Sequence, residues 1–218
     1  MNNTNLYKKL IAIKEEVNGY GLHDDLKLDK LIDDVKNEMM LDKVIEPDEK
    51  KRLKAIIKYL KKHDKDVLKN TTIKEINGTE RQLFTNSFTA FVIAPREDLP
   101  VVNEGYPDIA RLFNNIESDI TLSIDYKKVV YATKLKKKND EPISYVKVND
   151  EITIYFSSVL LKEVFEIMGT DKLKFYYQKQ KFAPVYFVNE ENNEYGLIMP
   201  LNPSKCSQMT GVNVSKDD

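Results

Sequence analysis

Between Glu151 and Leu201 the chain reads EITIYFSSVLLKEVFEIMGTDKLKFYYQKQKFAPVYFVNEENNEYGLIMPL, and no other stretch limits the fold as tightly. Residues 151–156 carry the β-branched and aromatic side chains of a strand. Ser157 follows in the position of a helix N-cap, and Leu161, Val164, Phe165 and Met168 recur on one helical face. Gly169 can close that helix in a left-handed conformation. Three more strands are predicted near 172–178, 182–188 and 194–201, with NEENNE as an exposed acidic turn. Helices packed on antiparallel strands place the chain in the α+β class.

Upstream, the same reading of periodicity and punctuation extends the pattern. Leu6, Leu10, Ile13 and Val17 lie at helical spacing, and so do Leu28, Leu31, Ile32, Val35 and Met39 after the turn-like NGYGLHDD. Residues 1–46 are therefore expected as a helical hairpin, either an accessory element that buries one face or an arm that binds a partner. Pro47, Asp48 and Glu49 then open a new helix, since proline lacks the N–H that would be unsatisfied there and acids oppose the helix dipole. Its apolar stripe is Leu53, Ile56, Ile57 and Leu60, and Lys51, Lys54, Lys58, Lys61, Lys62 and Lys65 gather roughly opposite.

Asn77-Gly78 predicts a type I′ hairpin joining strands 71–76 and 79–84, followed by a third strand over 85–93. Pro95, Pro100 and Pro107 punctuate a connector with a short helix at 108–113. Asp125 can cap a helix running to Lys138, and 142–149 reads as another strand. The expected organisation is a hairpin extension (1–46), a half domain (47–116), a second half ending in the IMP strand (117–205) and a flexible tail (206–218).

Composition removes several functions. Of 218 residues, 34 are Lys or Arg and 35 Asp or Glu, so affinity for nucleic acid must come from local segregation of charge. A single cysteine, Cys206, precludes an internal disulfide, and His23 and His63 stand apart with no cysteine nearby, so neither a metal site nor a cofactor is expected. MNNTNLYKKL is too polar for a signal peptide, and no apolar run nears the roughly 18 residues of a membrane span, which predicts a cytoplasmic protein. Abundant Lys, Asn and Ile without Trp suits the AT-rich genome of a low-GC bacterium or its phage. No phosphate loop, nucleophile elbow or histidine pair is present, and the acid pairs Asp24-Asp25, Asp33-Asp34 and Glu190-Glu191 fall on helix faces or turns. The expectation is a binding protein, not an enzyme.

Three short segments carry a family resemblance: TNSFTAFVI (85–93), GYPDIARLF (105–113) and LIMPL (197–201). With the element order, they resemble the beta subunit of DNA polymerase III, the bacterial sliding clamp, over roughly residues 50–203. Asn86, Ser87, Phe88 and Thr89 stand where that family has an acid, a glycine, a histidine and an arginine. A clamp protomer has three domains, whereas this chain has material for about one and a half, so it is similar to reduced, phage-type homologues.

The resemblance implies a sliding-clamp-like α+β fold with an N-terminal helical extension, and a processivity or recruitment role. It further implies non-specific contacts to double-stranded DNA through Lys51, Lys54, Lys58, Lys61, Lys62 and Lys65, with Lys127, Lys128 and Lys134 as a second group. A pocket for a peptide of a polymerase or other replication protein would fall at Thr85, Phe88, Ala90, Ile198, Met199, Pro200 and Leu201. A ring would require a homo-oligomer. The alternative is a protein-interaction module that keeps the fold without the ring and binds or inhibits a host replication protein. The lysine stripe is equally compatible with a solvated helix face, and the strand residues with an ordinary core.

Overall fold

The structure, a computed structural model, describes residues 3–19, 26–43, 46–63, 65–113, 120–135, 141–178, 183–202, 204 and 211–216. It divides into two compact units, Met1–Ile57 and Lys58–Asp218.

In the first unit α1 (Asn3–Gly19) and α2 (Leu26–Lys43) pair through part of the apolar stripes that the periodicity marks, while Ile13 and Leu31 on those stripes stay exposed. Leu10, Ile32 and Val35 are buried together, with Leu6, Tyr7, Ile11, Leu28 and Met39 packed around them. Lys14 reaches Asp29 across the pair at 2.6 Å. The hairpin turn expected at NGYGLHDD lies largely outside the described residues. Next comes α3 (Pro47–Leu60), with proline at its first position and Asp48 and Glu49 in its first turn. Leu53 and Ile56 on its apolar stripe are fully buried. The unit boundary falls inside this helix.

The second unit contains β1 (Thr72–Ile76), β2 (Thr79–Thr85), β3 (Thr89–Ile93), β4 (Ile120–Leu122), α4 (Tyr126–Lys134), β5 (Ile143–Lys147) and β6 (Thr153–Ser157). It continues with α5 (Ser158–Met168), β7 (Lys174–Tyr177), β8 (Val185–Asn189), β9 (Glu194–Ile198) and β10 (Gly211–Asn213). Seven strands form one sheet in the order β1-β2-β3-β9-β8-β7-β4, and β10-β5-β6 form a second. The larger sheet is antiparallel throughout. Because β3 pairs with β9, strands from both expected halves share this sheet.

Side chains alternate across the sheet, so each strand feeds two cores. On one face Phe84, Phe91, Phe175 and Phe187 form a run of ring contacts that Tyr59 and Phe165 join from the helical side. On the other, Ile76, Leu83, Ala90, Val92, Tyr186 and Leu197 pack with Ile109 and Phe113 of the proline-punctuated connector. Gly196 lies where β9 passes closest to its neighbours: a Cβ there would overlap the Ala90 carbonyl and the Phe187 ring.

Local signals explain most boundaries. Asn77 (φ 52°) and Gly78 (φ 74°) turn β1 into β2. Asp125 accepts from the backbone N–H groups of Lys127 and Lys128 to start α4, and Ser157 accepts from Leu160 to start α5. Gly169 ends α5 at φ 68°.

Four expectations are corrected. The 85–93 strand is interrupted: β2 continues to Thr85 and β3 begins at Thr89, because the Asn86 side chain accepts from the Phe88 and Thr89 N–H groups and Ser87 turns at φ 74°. The helix bearing the lysine stripe stops at Leu60, which leaves Lys65 in extended backbone ahead of a 3-10 turn, Asp66–Lys69. The tail is not wholly flexible, since β10 pairs in parallel with β5 and Val214 is fully buried. The NEENNE turn is exposed only in its middle, because Asn189 and Glu194 are buried at its two ends. The last of these uses its carboxylate to accept from the Ala94 N–H at 3.2 Å.

Candidate functional site

The first group of lysines is not uniformly available. In the first unit, Lys51 is exposed and lies 3.4 Å from Asp48, while exposed Lys54 makes no ion pair among the described residues. In the second, Lys58, Lys61, Lys62 and Lys65 are all exposed, and Lys62 is bound to Glu163 of α5. The acids that open α3 thus sit on the same helix as its basic stripe, and Glu163 holds a cation just beyond its end.

The second group is on α4. Lys128 donates to the Ser215 carbonyl at 2.8 Å, which ties it to the chain's C-terminal segment. Lys127 and Lys134 are exposed and make no ion pair among the described residues. They line a shallow cavity of about 460 Å³ together with Tyr126, Val130 and Tyr131. The helix sequence YKKVVYATK contains no acid. On the neighbouring α5, Lys162 is paired with Glu166 at 3.0 Å.

The seven residues expected to form a peptide pocket meet at one end of the β3/β9 pairing but do not share one surface. Thr89 pairs with Ile198 and Ala90 with Leu197, so Ala90 and Ile198 point to opposite faces of the sheet. Both are buried, at 1% and 0% exposure, as is Thr85. Thr85 spends its hydroxyl on the Thr89 carbonyl at 2.7 Å, and its N–H donates to the Tyr106 hydroxyl at 3.1 Å. Burial pushes the Tyr106 phenol up to about 12, and the Thr85 hydrogen bond opposes that shift. Phe88 projects from the turn at 61% exposure, and its carbonyl accepts from the Met199 N–H at 2.8 Å. Met199, Pro200 and Leu201 are half-buried. Leu201 donates its N–H to the Tyr155 carbonyl at 2.7 Å, anchoring the segment after β9 to the second sheet. The accessible apolar side chains are thus Phe88 and, in part, residues 199–201.

No protein-family model matches this sequence, and no curated protein matches it. Solved structures do. The DNA polymerase III subunit beta of Pseudomonas aeruginosa superposes with a TM-score of 0.53 at 12% identity, over 70% of this chain and 64% of that one. The beta sliding clamp of C. crescentus gives 0.54 at 12% identity, over 77% of this chain and 64% of its own.

The fold is that of a bacterial sliding clamp. This chain spans under two thirds of the length of either protein. No described helix is long and apolar enough to cross a membrane. Among the described residues, no His, Cys, Asp or Glu group is arranged to hold a metal ion.

Within this clamp fold, sequence reasoning missed the aromatic members of the α4 face. Tyr126 and Tyr131 were each visible four or fewer residues from Lys127, but Val129, Val130, Tyr131 and Thr133 are also good strand residues, which mixes the signal in a stretch that favours helix and whose helix ends at Lys134. That ambiguity hides which side chains share a surface.

Proposed function

We propose that this protein is a clamp-like tether or recruitment factor that holds duplex DNA without sequence specificity and takes up a short peptide from a polymerase or another replication protein. The observation carrying this reading is an acid-free, lysine-bearing helix exposed on a sliding-clamp fold. Phosphate neutralisation by Lys127 and Lys134, with Lys54 and Lys58 as a further group, supplies affinity that weakens as salt rises and ignores base identity. Phe88, Met199, Pro200 and Leu201 serve as the peptide's apolar contacts, and Thr85, Ala90 and Ile198 are buried in the adjoining strands, where they hold the strand ends in place. A few apolar anchors suffice, because such residues carry most of the energy in small interfaces.

The role is binding, and no catalytic step is assigned to it. We place its action in the bacterial cytoplasm, with a phage as the source, and take a closed homo-oligomer as the route to DNA encirclement. In this organisation residues 1–46 are an extension, residues 47–116 and 117–205 correspond to clamp-like halves, and residues 206–218 include the strand that returns to the second sheet.

Sedimentation over a wide concentration range, followed by retention on circular versus linearised DNA, tests the reading. A stable oligomer retained only on circles supports encirclement. Salt-sensitive binding by a monomer, without retention, leaves recruitment. Absence of DNA binding at low salt refutes the DNA role.

A second reading has its own support in the first unit, where Ile13 and Leu31 remain 48% and 47% exposed on a helix pair that already has a buried core. Here the protein keeps the clamp fold without a ring and binds or inhibits a host replication protein through its helical arm. In the full chain, Ile13→Asp with Leu31→Asp would abolish capture of that host protein while leaving DNA binding intact.

A further inference from the structure

The exposed face of α4 combines cations with an aromatic ring in a way that duplex binding does not require. Tyr131 is 57% exposed. Lys127 precedes it by one helical turn and Lys134 follows by another, and all three line the same cavity with Tyr126 and Val130. At 1.5 Å of rise per residue, the two lysines bracket the ring over about 10 Å. No acid lies on the helix, and the sequence beyond it continues as LKKK through Lys138. The ring at the centre of this cationic stripe gains nothing from the phosphates of a duplex, whose bases are stacked inside. A single strand offers both groups at once: phosphates for the lysines and an unpaired base face for the tyrosine.

We infer that the α4 face is a single-stranded nucleic-acid site in which Tyr131 stacks on one base while Lys127 and Lys134 hold the flanking phosphates. The site is sequence-tolerant, because every base presents a stacking face. Val130 and the half-buried Tyr126 form the apolar wall of the cavity against which the stacked base rests. This inference rests on the nucleic-acid role proposed above and assigns the strand form that this one face reads. A tether with such a site would grip the exposed template beside a duplex as well as the duplex itself.

Fluorescence anisotropy of the full chain with labelled oligothymidylate, and with a labelled duplex of equal length, tests it. Wild type binds both. Tyr131→Ala weakens oligothymidylate binding by about tenfold, the scale of one lost base stack, and leaves duplex affinity within about twofold. Tyr131→Phe keeps the ring and retains single-strand affinity, which also separates stacking from loss of the hydroxyl. Lys127→Ala with Lys134→Ala weakens both ligands. The proposal is overturned if Tyr131→Ala leaves oligothymidylate affinity unchanged or weakens both ligands equally, and in either case duplex binding by wild type still upholds the broader reading. It is also overturned if wild type binds duplex but not oligothymidylate. Failure to bind either ligand overturns this inference and the DNA role together.

Discussion

Two basic helices of this protein look alike in composition and differ in what their charges are free to do. Helix α3 carries five basic residues and two acids, and α4 carries three basic residues and none. Counted on a helical wheel, α3 dominates. In the structure Lys51 faces Asp48, Arg52 lies 3.5 Å from Glu49, Lys62 is held by Glu163, and Lys65 has left the helix altogether. On α4 Lys128 donates to a backbone carbonyl, while Lys127 and Lys134 flank an open cavity. A lysine already beside a carboxylate contributes little extra field and releases few counterions on meeting a phosphate. Lys54 and Lys58 of α3 and Lys127 and Lys134 of α4 make no ion pair among the described residues, so for the DNA role proposed above the acids that share α3 are what set the two helices apart.

The largest expected effect comes from reversing the free pair. Lys127→Glu with Lys134→Glu should weaken duplex binding roughly 10- to 100-fold at low salt, because two phosphate contacts become repulsions. The corresponding alanine pair should lower the slope of log affinity against log salt by about two. Titrations at several salt concentrations measure both. A larger loss from Lys54→Glu with Lys58→Glu would reverse the ranking and return the main role to α3.

The paired lysines give the contrasting result. Lys51→Ala with Lys62→Ala should change duplex affinity by less than about threefold and leave the salt slope nearly unchanged. Equality with the α4 alanine pair in the same titration would show that the ion pairs open freely in solution, and the distinction between the helices would collapse. Glu163→Gln probes the same point from the other side. Releasing Lys62 should raise duplex affinity by about two- to threefold, an effect that disappears when Lys62 is also alanine; a gain that survives in the double variant would assign it to the lost acid alone.

Much of this architecture was legible because the decisive signals are local. Asp125, Ser157, Gly169 and the Asn77-Gly78 pair act on backbone groups within a few residues, and each does in the structure what its position suggests. The strands that escaped notice depend on distant partners. β4 has only three residues, too few to show a period, and is defined by its pairing with β7. β10 is equally short and exists because β5 receives it, with Val214 buried beyond it and Asp125 donating its N–H to the Val214 carbonyl at 2.8 Å. The site shows the same limit more sharply. Ala90 and Ile198 are close in space, yet the register that brings them together also turns them to opposite faces. Likewise, the partnership of Lys62 with Glu163 spans two elements that no sequence window contains.

The smallest expected effect concerns how α4 is held, and it separates charge from architecture. Asp125 is the acid that caps this helix, so its removal takes a repulsive charge from beside Lys127 and should slightly favour DNA. The same carboxylate accepts from the Lys127 N–H at 2.7 Å and the Lys128 N–H at 3.4 Å, which satisfies donors that the first turn cannot. Losing an N-cap of this kind destabilises by about 1 kcal/mol, equivalent to a melting shift of roughly 2–4 °C in a chain of this size. Asp125→Ala should therefore melt lower by that amount, while its duplex affinity stays within about twofold as the two effects oppose each other. Asp125→Asn separates them, since it keeps an accepting oxygen and loses the charge. Its melting point should stay near wild type and its duplex affinity should rise slightly. If both variants melt alike, the cap is not what orders the first turn. The exposure of Lys127 would then have to be credited to packing of Val129 and Ala132, the buried residues on the opposite side of α4.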